Sequence, residues 1–185
     1  MTEVKFAKLH ADAKIPSKEL ENAGYDIYAA FDEDYMIIKP HETKMIPTGL
    51  CSAFSEDYVM MIKERGSTGT KGIGQRSGIV DAGYRGQWFV PITNHNKKSL
   101  IITKLSPEET KEDFVKKMKD GDIPFEPQFV LDELFSSPIY YPYSKAIAQA
   151  LLLPVPRTTV IECTPEEIAA IPSKRGEGAL GSSGK

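Results

Sequence analysis

The chain has 185 residues, of which 41% are hydrophobic and 26% charged, with a net charge of −3. This composition is typical of one soluble globular domain, and the weak negative charge argues against general nucleic-acid binding, which requires a basic face. No apolar run reaches the length of a membrane span, and Glu3, Lys5 and Lys8 stand where a secretion signal would be apolar. Cys51 and Cys163 provide neither a disulfide framework nor a zinc spacing. We therefore expect a cytoplasmic protein without nucleic-acid or membrane partners.

Short β-strands separated by Gly, Pro and Asp make up most of the predicted secondary structure. The sequence predicts strands at residues 4–9, 26–30, 36–38, 44–46, 50–54, 59–63, 89–93, 100–103, 147–153 and 158–161. Many short strands at nearly regular spacing are typical of a barrel or sandwich. Residues 58–62 and 150–153 are continuously apolar, so we expect the core or a neighbouring subunit to cover both of their faces. We therefore predict an all-β fold, a jelly-roll-like β-barrel.

Two helix-start signals interrupt the strand pattern. Residues 106–109 are Ser-Pro-Glu-Glu and residues 164–167 are Thr-Pro-Glu-Glu. In both, the hydroxyl can accept from the amide three residues later and the second glutamate can reach back, while proline suits the first helical position. The first helix is predicted to end at Gly121 and the second, a short one, at Pro172.

Residues 77–87, with the sequence Ser-Gly-Ile-Val-Asp-Ala-Gly-Tyr-Arg-Gly-Gln, predict a β-hairpin with a carboxylate at its mouth. Asp81 follows an apolar pair, Tyr84 comes three residues later, and the chain then returns through Phe89. A carboxylate held on a tight hairpin can orient and deprotonate a water molecule. An aspartate that only caps the turn is the alternative interpretation.

This stretch closely resembles the third motif of the trimeric dUTP diphosphatase family, and four other segments match that family in order. They are Ala-Gly-Tyr-Asp-Ile at 23–27, Arg-Gly-Ser at 65–67 with Lys-Gly-Ile at 71–73, Ile-Ala-Gln at 147–149, and the glycine-rich end at 175–184. The resemblance implies a homotrimer that hydrolyses dUTP to dUMP and diphosphate by water attack on the α-phosphorus. That reaction limits uracil incorporation into DNA and supplies dUMP for thymidylate synthesis.

The resemblance implies that the hairpin carries catalysis and nucleoside recognition. Asp81 would orient the nucleophilic water and contact the 3′-hydroxyl, and Tyr84 would press its ring against the deoxyribose, leaving no room for a 2′-hydroxyl. The residues expected around the uracil are Gly78, Ile79, Val80, Phe89 and, through water, Gln75.

The other motifs are expected to bind the phosphates. Arg65 and Arg175 would supply planar donors that suit phosphate oxygens, and Gln149 would donate to a phosphate. Mg²⁺ is implied as the cofactor, held mainly by the triphosphate, because the three scattered histidines form no metal cluster. Asp26 would contact that ion through water; its alternative role is to order the turn around Gly24. The remaining substrate-binding residues implied by the motifs are Gly66, Ser67, Leu180, Gly181, Ser182 and Ser183.

Several positions depart from the family pattern. Gly66 replaces the hydroxyl that usually follows the arginine, so Ser67 or the Gly66 amide is expected to substitute. Ala146 replaces an arginine, and Leu180 replaces an aromatic residue that covers the uracil. A related dCTP deaminase is disfavoured, since it needs a carboxylate where this chain has Pro91. The alternative from another class is a nucleotide-sensing or partner-binding protein with reduced catalysis.

Two regions remain to be assigned. Residues 106–143 exceed the length that typical family members use between the third and fourth motifs, so we expect an insertion with a small helix. Its aromatic and apolar residues favour docking beside the active-site mouth, with a protein-partner surface as the alternative. Residues 1–174 are predicted to form the β-barrel domain and residues 175–185 a glycine-rich lid that orders on ligand binding.

Overall fold

The structure is a computed structural model that describes residues 2–76, 78–124, 126–174 and 176, without the side chains of residues 128, 129 and 133. The chain divides into two compact units, Met1–Val155 and Pro156–Lys185. The predicted boundary at residue 175 stays a prediction, because that residue lies outside the described ranges. None of the described helices is long and apolar enough to cross a membrane.

Twelve strands and three helices are assigned in the described part of the first unit. The strands are β1 (Val4–Lys8), β2 (Tyr25–Ile27), β3 (Tyr35–Ile38), β4 (Thr43–Pro47), β5 (Leu50–Phe54), β6 (Tyr58–Lys63), β7 (Ile73–Gln75), β8 (Ile79–Val80), β9 (Phe89–Asn94), β10 (Leu100–Thr103), β11 (Ile139–Pro142) and β12 (Ala148–Pro154). The helices are α1 (Gly66–Gly69), α2 (Pro107–Asp120) and α3 (Gln128–Phe135). The predicted all-β class is therefore confirmed.

The strands pair into four sheets, ordered β1-β5, β11-β10-β3, β2-β12-β6-β8 and β4-β9-β7. Every pair is antiparallel except β10 with β11. The described ladders do not join into one closed ring, so a closed barrel remains a prediction. One apolar cluster holds the sheets together, and its fully buried members include Ile27, Ile38, Met60, Trp88 and Ile147.

One face of the β2-β12-β6-β8 sheet lies in the core, whereas the other carries a stripe of apolar side chains that this chain covers only in part. Leu151 pairs with Met61, Leu153 with Val59, and Met61 with Ile79, so all five lie on the same face. Ile79 is 58% exposed, and the other four are half-buried. We call these five residues the outer stripe.

The predicted hairpin is wrong in its pairing. Strand β8 pairs with β6, while β9 pairs with β4 and β7. The bend at Gly78 causes this difference, because its carbonyl accepts from the Ile62 amide at 2.6 Å. Gly78 has φ 150°, and a Cβ at this position would collide with the Ile62 carbonyl oxygen, so glycine is required here. The chain thus crosses to another sheet before it returns at Phe89.

Residues 106–143, the predicted insertion, include a helix that packs onto the β11-β10-β3 sheet. This helix, α2, has the predicted capping box at Ser106 and ends at Gly121, which has φ 81°. Phe114 contacts Tyr35 on β3 with ring centroids 6.5 Å apart, and Lys117 bridges to Asp34 at 3.5 Å. The last strand of this segment, β11, pairs in parallel with β10 and leads into the fourth motif.

The second unit contains the helix α4 (Pro165–Ala169), with the predicted capping box at Thr164. The strand predicted at 158–161 is wrong, because the structure assigns none there and every described residue from 156 to 174 is exposed. β-Branched residues favour strands only when a neighbouring strand or face covers them. Val160 is 94% exposed and Ile161 75% exposed.

Candidate functional site

Three of the motifs meet at an ion pair between β2 and the start of α1. Asp26 on β2 lies opposite Gln149 on β12, which in turn lies opposite Lys63 at the end of β6. Two residues beyond β6, Arg65 directs its Nε to Asp26 Oδ1 at 3.2 Å. The pairing of β2 with β12 and β6 therefore brings motifs from residues 26, 65 and 149 to one end of the sheet.

Close packing fixes the side chain of Gln149 in this cluster. Its Nε2 donates to the Glu64 carbonyl at 3.0 Å. A Cβ placed on Gly24 would lie 2.6 Å from Gln149 Oε1, so the glycine leaves the room that the amide occupies. The side-chain amide of Gln149 thus connects the backbone of Glu64, just before Arg65, with Gly24 of the first motif.

A pocket of about 360 Å³ opens beside this cluster and is lined by Gly24, Asp26, Arg65, Ser67 and Gln149, with Asn22, Ala23 and Gly66 at its margin. The turn of α1 is held by Thr68, whose buried hydroxyl donates to the Arg65 carbonyl at 2.9 Å. Ser67 is exposed, and in the described ranges its hydroxyl has no hydrogen-bond partner. Such a pocket, with a guanidinium, an amide and a hydroxyl, suits an anion.

A second pocket, of about 380 Å³, is lined by the same ion pair. Asp26, Arg65 and Ser67 line both pockets, and Tyr28, Lys71, Tyr141, Ser144, Lys145 and Ala146 complete this one. The Ala146 carbonyl accepts from Tyr141 at 2.6 Å and from Arg65 Nη1 at 3.3 Å. Burial raises the pKa of Tyr141, so its phenol is a neutral donor. Tyr141 and Lys145 carry no sequence signal of a site, because their neighbours come together only through the parallel pairing of β11.

The hairpin residues form a separate group. Asp81 follows β8 directly and is exposed, and its carbonyl accepts from the Tyr84 amide at 3.0 Å. The Tyr84 hydroxyl donates to the Gln87 carbonyl at 2.9 Å, and its ring is 45% exposed. A Cβ on Gly86 would lie 2.5 Å from that hydroxyl, so only glycine lets the ring lie there.

The remaining predicted nucleoside residues surround this group. Gly78 and Ile79 lead into Asp81, with Val80 buried below, and Phe89 is 39% exposed at the start of β9. Gln75, at the end of β7, donates to the Arg76 carbonyl at 2.7 Å. These residues therefore present the exposed rings of Tyr84 and Phe89 and the bent backbone at Gly78 near the Asp81 carboxylate.

Within one chain the two groups lie at opposite ends of the outer stripe. The pairing of Met60 with Val80 places Asp81 in line with Val59, whereas Gln149 lies opposite Lys63. Four residues of strand separate those two positions, which is about 13 Å along the sheet. The structure thus brings Asp26, Arg65, Gly66, Ser67 and Gln149 together, but not with Asp81 and Tyr84. Arg175, Leu180, Gly181, Ser182 and Ser183 lie outside the described residues.

In the ranges that the structure describes, no three His, Cys, Asp or Glu residues converge as a metal site. Asp26 is the carboxylate in the cluster around the first pocket, and Arg65 already contacts it. One engaged carboxylate fits an ion held chiefly by its ligand, with Asp26 near that ion, rather than a cage built by the protein.

Comparison with known proteins finds a matching family model and relatives of this chain. The dUTPase family model matches residues 11–106. A deoxyuridine 5′-triphosphate nucleotidohydrolase from Leptospira interrogans is 32% identical over 99 residues, covering 51% of this chain and 68% of that protein. One from Nautilia profundicola is 29% identical over 186 residues, covering 98% and 99%.

Solved structures agree on the fold. The dUTPase of Staphylococcus bacteriophage 80alpha, solved with dUpNHpp, has a TM-score of 0.64 at 22% identity and covers 99% of both chains. A mutant dUTPase from phage phi11, in which a structural Mg(II) ion is coordinated, has a TM-score of 0.62 at 18% identity and covers 89% of this chain and 99% of its own. The family match spans about half of the chain and includes its first three motifs, and on that basis this protein belongs to the dUTPase family.

Proposed function

We propose that this protein hydrolyses dUTP to dUMP and diphosphate by attack of water on the α-phosphorus. Its family membership supports the reaction, as do the names of its relatives and the binding of dUpNHpp by a protein of the same fold. The observation that carries the proposal is the cluster of Arg65, Ser67 and Gln149 around one anion-sized pocket. In a cell this reaction would limit uracil incorporation into DNA and supply dUMP for thymidylate synthesis.

In the proposed mechanism, Asp81 accepts the proton of the attacking water. The turn that joins its carbonyl to the Tyr84 amide supports this role by fixing the backbone from which the carboxylate extends. The Tyr84 ring, held by the bond to the Gln87 carbonyl, packs against the deoxyribose and excludes a 2′-hydroxyl. Backbone groups of the bent segment at Gly78 and Ile79, with the exposed ring of Phe89, form the uracil site. Gln75 joins through water.

The phosphates bind at the other group of residues. Arg65 and Gln149 donate to phosphate oxygens, and Ser67 takes the place of the hydroxyl that Gly66 lacks. Mg²⁺ fits this site as an ion carried in by the triphosphate, where it would neutralise charge and polarise phosphoryl oxygens. Asp26 would hold water around that ion once a phosphate engages Arg65. Arg175, with Leu180 and residues 181–183, is proposed to close over the bound nucleotide.

Two features favour a homotrimer with each active site shared between chains. The outer stripe leaves Leu151, Leu153 and Ile79 partly uncovered, and apolar surface of this kind marks an interface. Asp81 and Gln149 also lie about 13 Å apart along the strand direction and on opposite sides of β6, too far for both to reach one α-phosphate within one chain. A second copy packed on the stripe would bring its own Asp81 towards the neighbouring phosphate cluster.

Asp81→Asn tests the proposal. Loss of a positioned general base should lower turnover by about 10²–10⁴-fold while dUTP still binds. Diphosphate release measures turnover, and calorimetry with a non-hydrolysable dUTP analogue measures binding. Asp122→Asn, an exposed carboxylate after α2, is the matched control and should behave as wild type. A wild-type protein that binds the analogue but releases no diphosphate would support the nucleotide-sensing alternative instead.

A further inference from the structure

The second pocket at the Arg65–Asp26 ion pair holds two lysines whose charge is not neutralised by the protein. Lys71 and Lys145 line it, and neither has an ion-pair partner in the described residues. The carboxylate in the pocket, Asp26, is engaged by Arg65 at 3.2 Å. Two excess positive charges therefore face one cavity of about 380 Å³, which favours an anionic ligand there.

Hydrogen bonds fix the backbone of each lysine. The Lys71 amide donates to the Thr68 carbonyl at 3.0 Å, and the Lys71 carbonyl accepts from Asn96 Nδ2 at 2.8 Å. The Lys145 amide donates to the Pro142 carbonyl at 3.0 Å, directly after β11. The bonds of Tyr141 and Arg65 to the Ala146 carbonyl hold the Lys145 segment against the cluster. The backbone positions from which the two ammonium groups extend are therefore fixed.

The two pockets adjoin each other, since Arg65, Asp26 and Ser67 line both. A single phosphate could occupy either pocket, but a chain of phosphates could extend from the Gln149 side past Arg65 to the lysines. We propose that Lys71 and Lys145 bind the terminal phosphates of the nucleotide and the diphosphate that leaves. This inference rests on the proposed function, in which the bond between the α-phosphorus and the bridging oxygen breaks and the diphosphate departs with that oxygen. The lysines transfer no proton; they stabilise the negative charge of the leaving group.

The position of Lys145 also compensates for the arginine that the fourth motif lacks at Ala146. Ala146 supplies no charge of its own, yet its carbonyl positions Arg65, and the adjacent Lys145 brings a cation to the same pocket. The insertion contributes directly, because β11 delivers both Tyr141 and the turn that carries Lys145.

Calorimetry with inorganic diphosphate and with dUMP separates this subsite from the rest of the site without turnover. Lys145→Gln should weaken diphosphate binding about tenfold, and Lys71→Gln/Lys145→Gln more, since each removes a contact between charged groups. Neither variant should change dUMP affinity more than about twofold, because dUMP lacks the terminal phosphates. Lys145→Arg should restore diphosphate affinity. Lys116→Gln, which removes an exposed charge from α2, is the control and should match wild type.

The salt dependence provides a second readout. The slope of log affinity for diphosphate against log salt concentration should fall in Lys145→Gln but not in Lys116→Gln. Diphosphate affinity within about twofold of wild type in both Lys145→Gln and the double variant would overturn the subsite, even if dUTP is hydrolysed. A wild-type protein that releases no diphosphate from dUTP, yet binds diphosphate through these lysines, would overturn the proposed function and leave the subsite standing.

Discussion

Gly24 of the first motif lies directly against Gln149 of the fourth. The 2.6 Å between a Cβ there and Gln149 Oε1 is a clash with the end of a flexible side chain, whereas a Cβ on Gly78 would meet backbone. A change at Gly24 can therefore be relieved by moving the amide, at the expense of the bond from Gln149 to the Glu64 carbonyl. Gly78 is therefore needed for the fold, whereas Gly24 is needed for the geometry of the site.

Gly24→Ala should accordingly raise the KM for dUTP about tenfold, the equivalent of one charge-assisted hydrogen bond, with little change in thermal stability. Steady-state kinetics and thermal unfolding measure the two effects. Gly69→Ala is the control, because a Cβ there makes an ordinary contact of 3.6 Å with Glu64. A stability loss without a kinetic effect would show that Gly24 serves folding instead.

At the scale of elements, hydrogen bonds from Lys104 and Tyr143 connect both ends of the predicted insertion to Asp12 in the N-terminal loop. Lys104 Nζ donates to Asp12 Oδ2 at 3.1 Å and to the Phe31 carbonyl at 2.7 Å. Tyr143 donates to the same Asp12 oxygen at 3.1 Å. The bonds from Lys104 and Tyr143 hold the pKa of Asp12 below its usual value.

Asp12→Asn should therefore lower the melting temperature at neutral pH, and the difference from wild type should vanish in acid. A carboxylate whose pKa is lowered by folding stabilises the protein above its unfolded pKa and loses that contribution as pH falls through the folded value. The stabilising contribution of Asp12 is thus lost from about pH 3.8, the ordinary pKa of this carboxyl, downwards. Thermal unfolding from neutral pH down to about pH 3 measures the effect. A constant difference across that range would contradict it.

Elements with local signals were predictable from the sequence, and those that depend on distant partners were not. The capping residues Ser106 and Thr164 gave both predicted helices their starts. In contrast, α3 begins after Pro127 with no side-chain cap, and β11 is a strand because β10 lies beside it. The motifs singled out Arg65, Ser67 and Gln149, which line the first pocket, but the second pocket depends on that parallel pairing, which no local pattern indicates.

At the scale of the whole molecule, two truncations distinguish the proposed roles of the C-terminal residues. A chain ending at Lys174 keeps the exposed Val160, Ile161, Ile168 and Ile171, so it should remain oligomeric but turn over slowly without the proposed lid. A chain ending at Val155 loses these apolar side chains and should form smaller assemblies. Light scattering after size exclusion measures mass, and diphosphate release measures turnover. Full activity in the first chain would reject the lid.

The separation of Asp81 from Arg65 along one sheet has a genetic consequence. If each site takes its base from one subunit and its phosphate ligands from another, Asp81→Asn and Arg65→Ala subunits carry complementary defects. Mixed after denaturation and refolded together, two inactive proteins should regain about a quarter of wild-type activity, since that share of randomly assembled sites pairs an intact Asp81 with an intact Arg65. Each variant refolded alone should stay inactive, and a mixture that also stays inactive would place both residues of a site in the same chain. A heterozygous cell could then hydrolyse dUTP although neither of its alleles encodes a working enzyme.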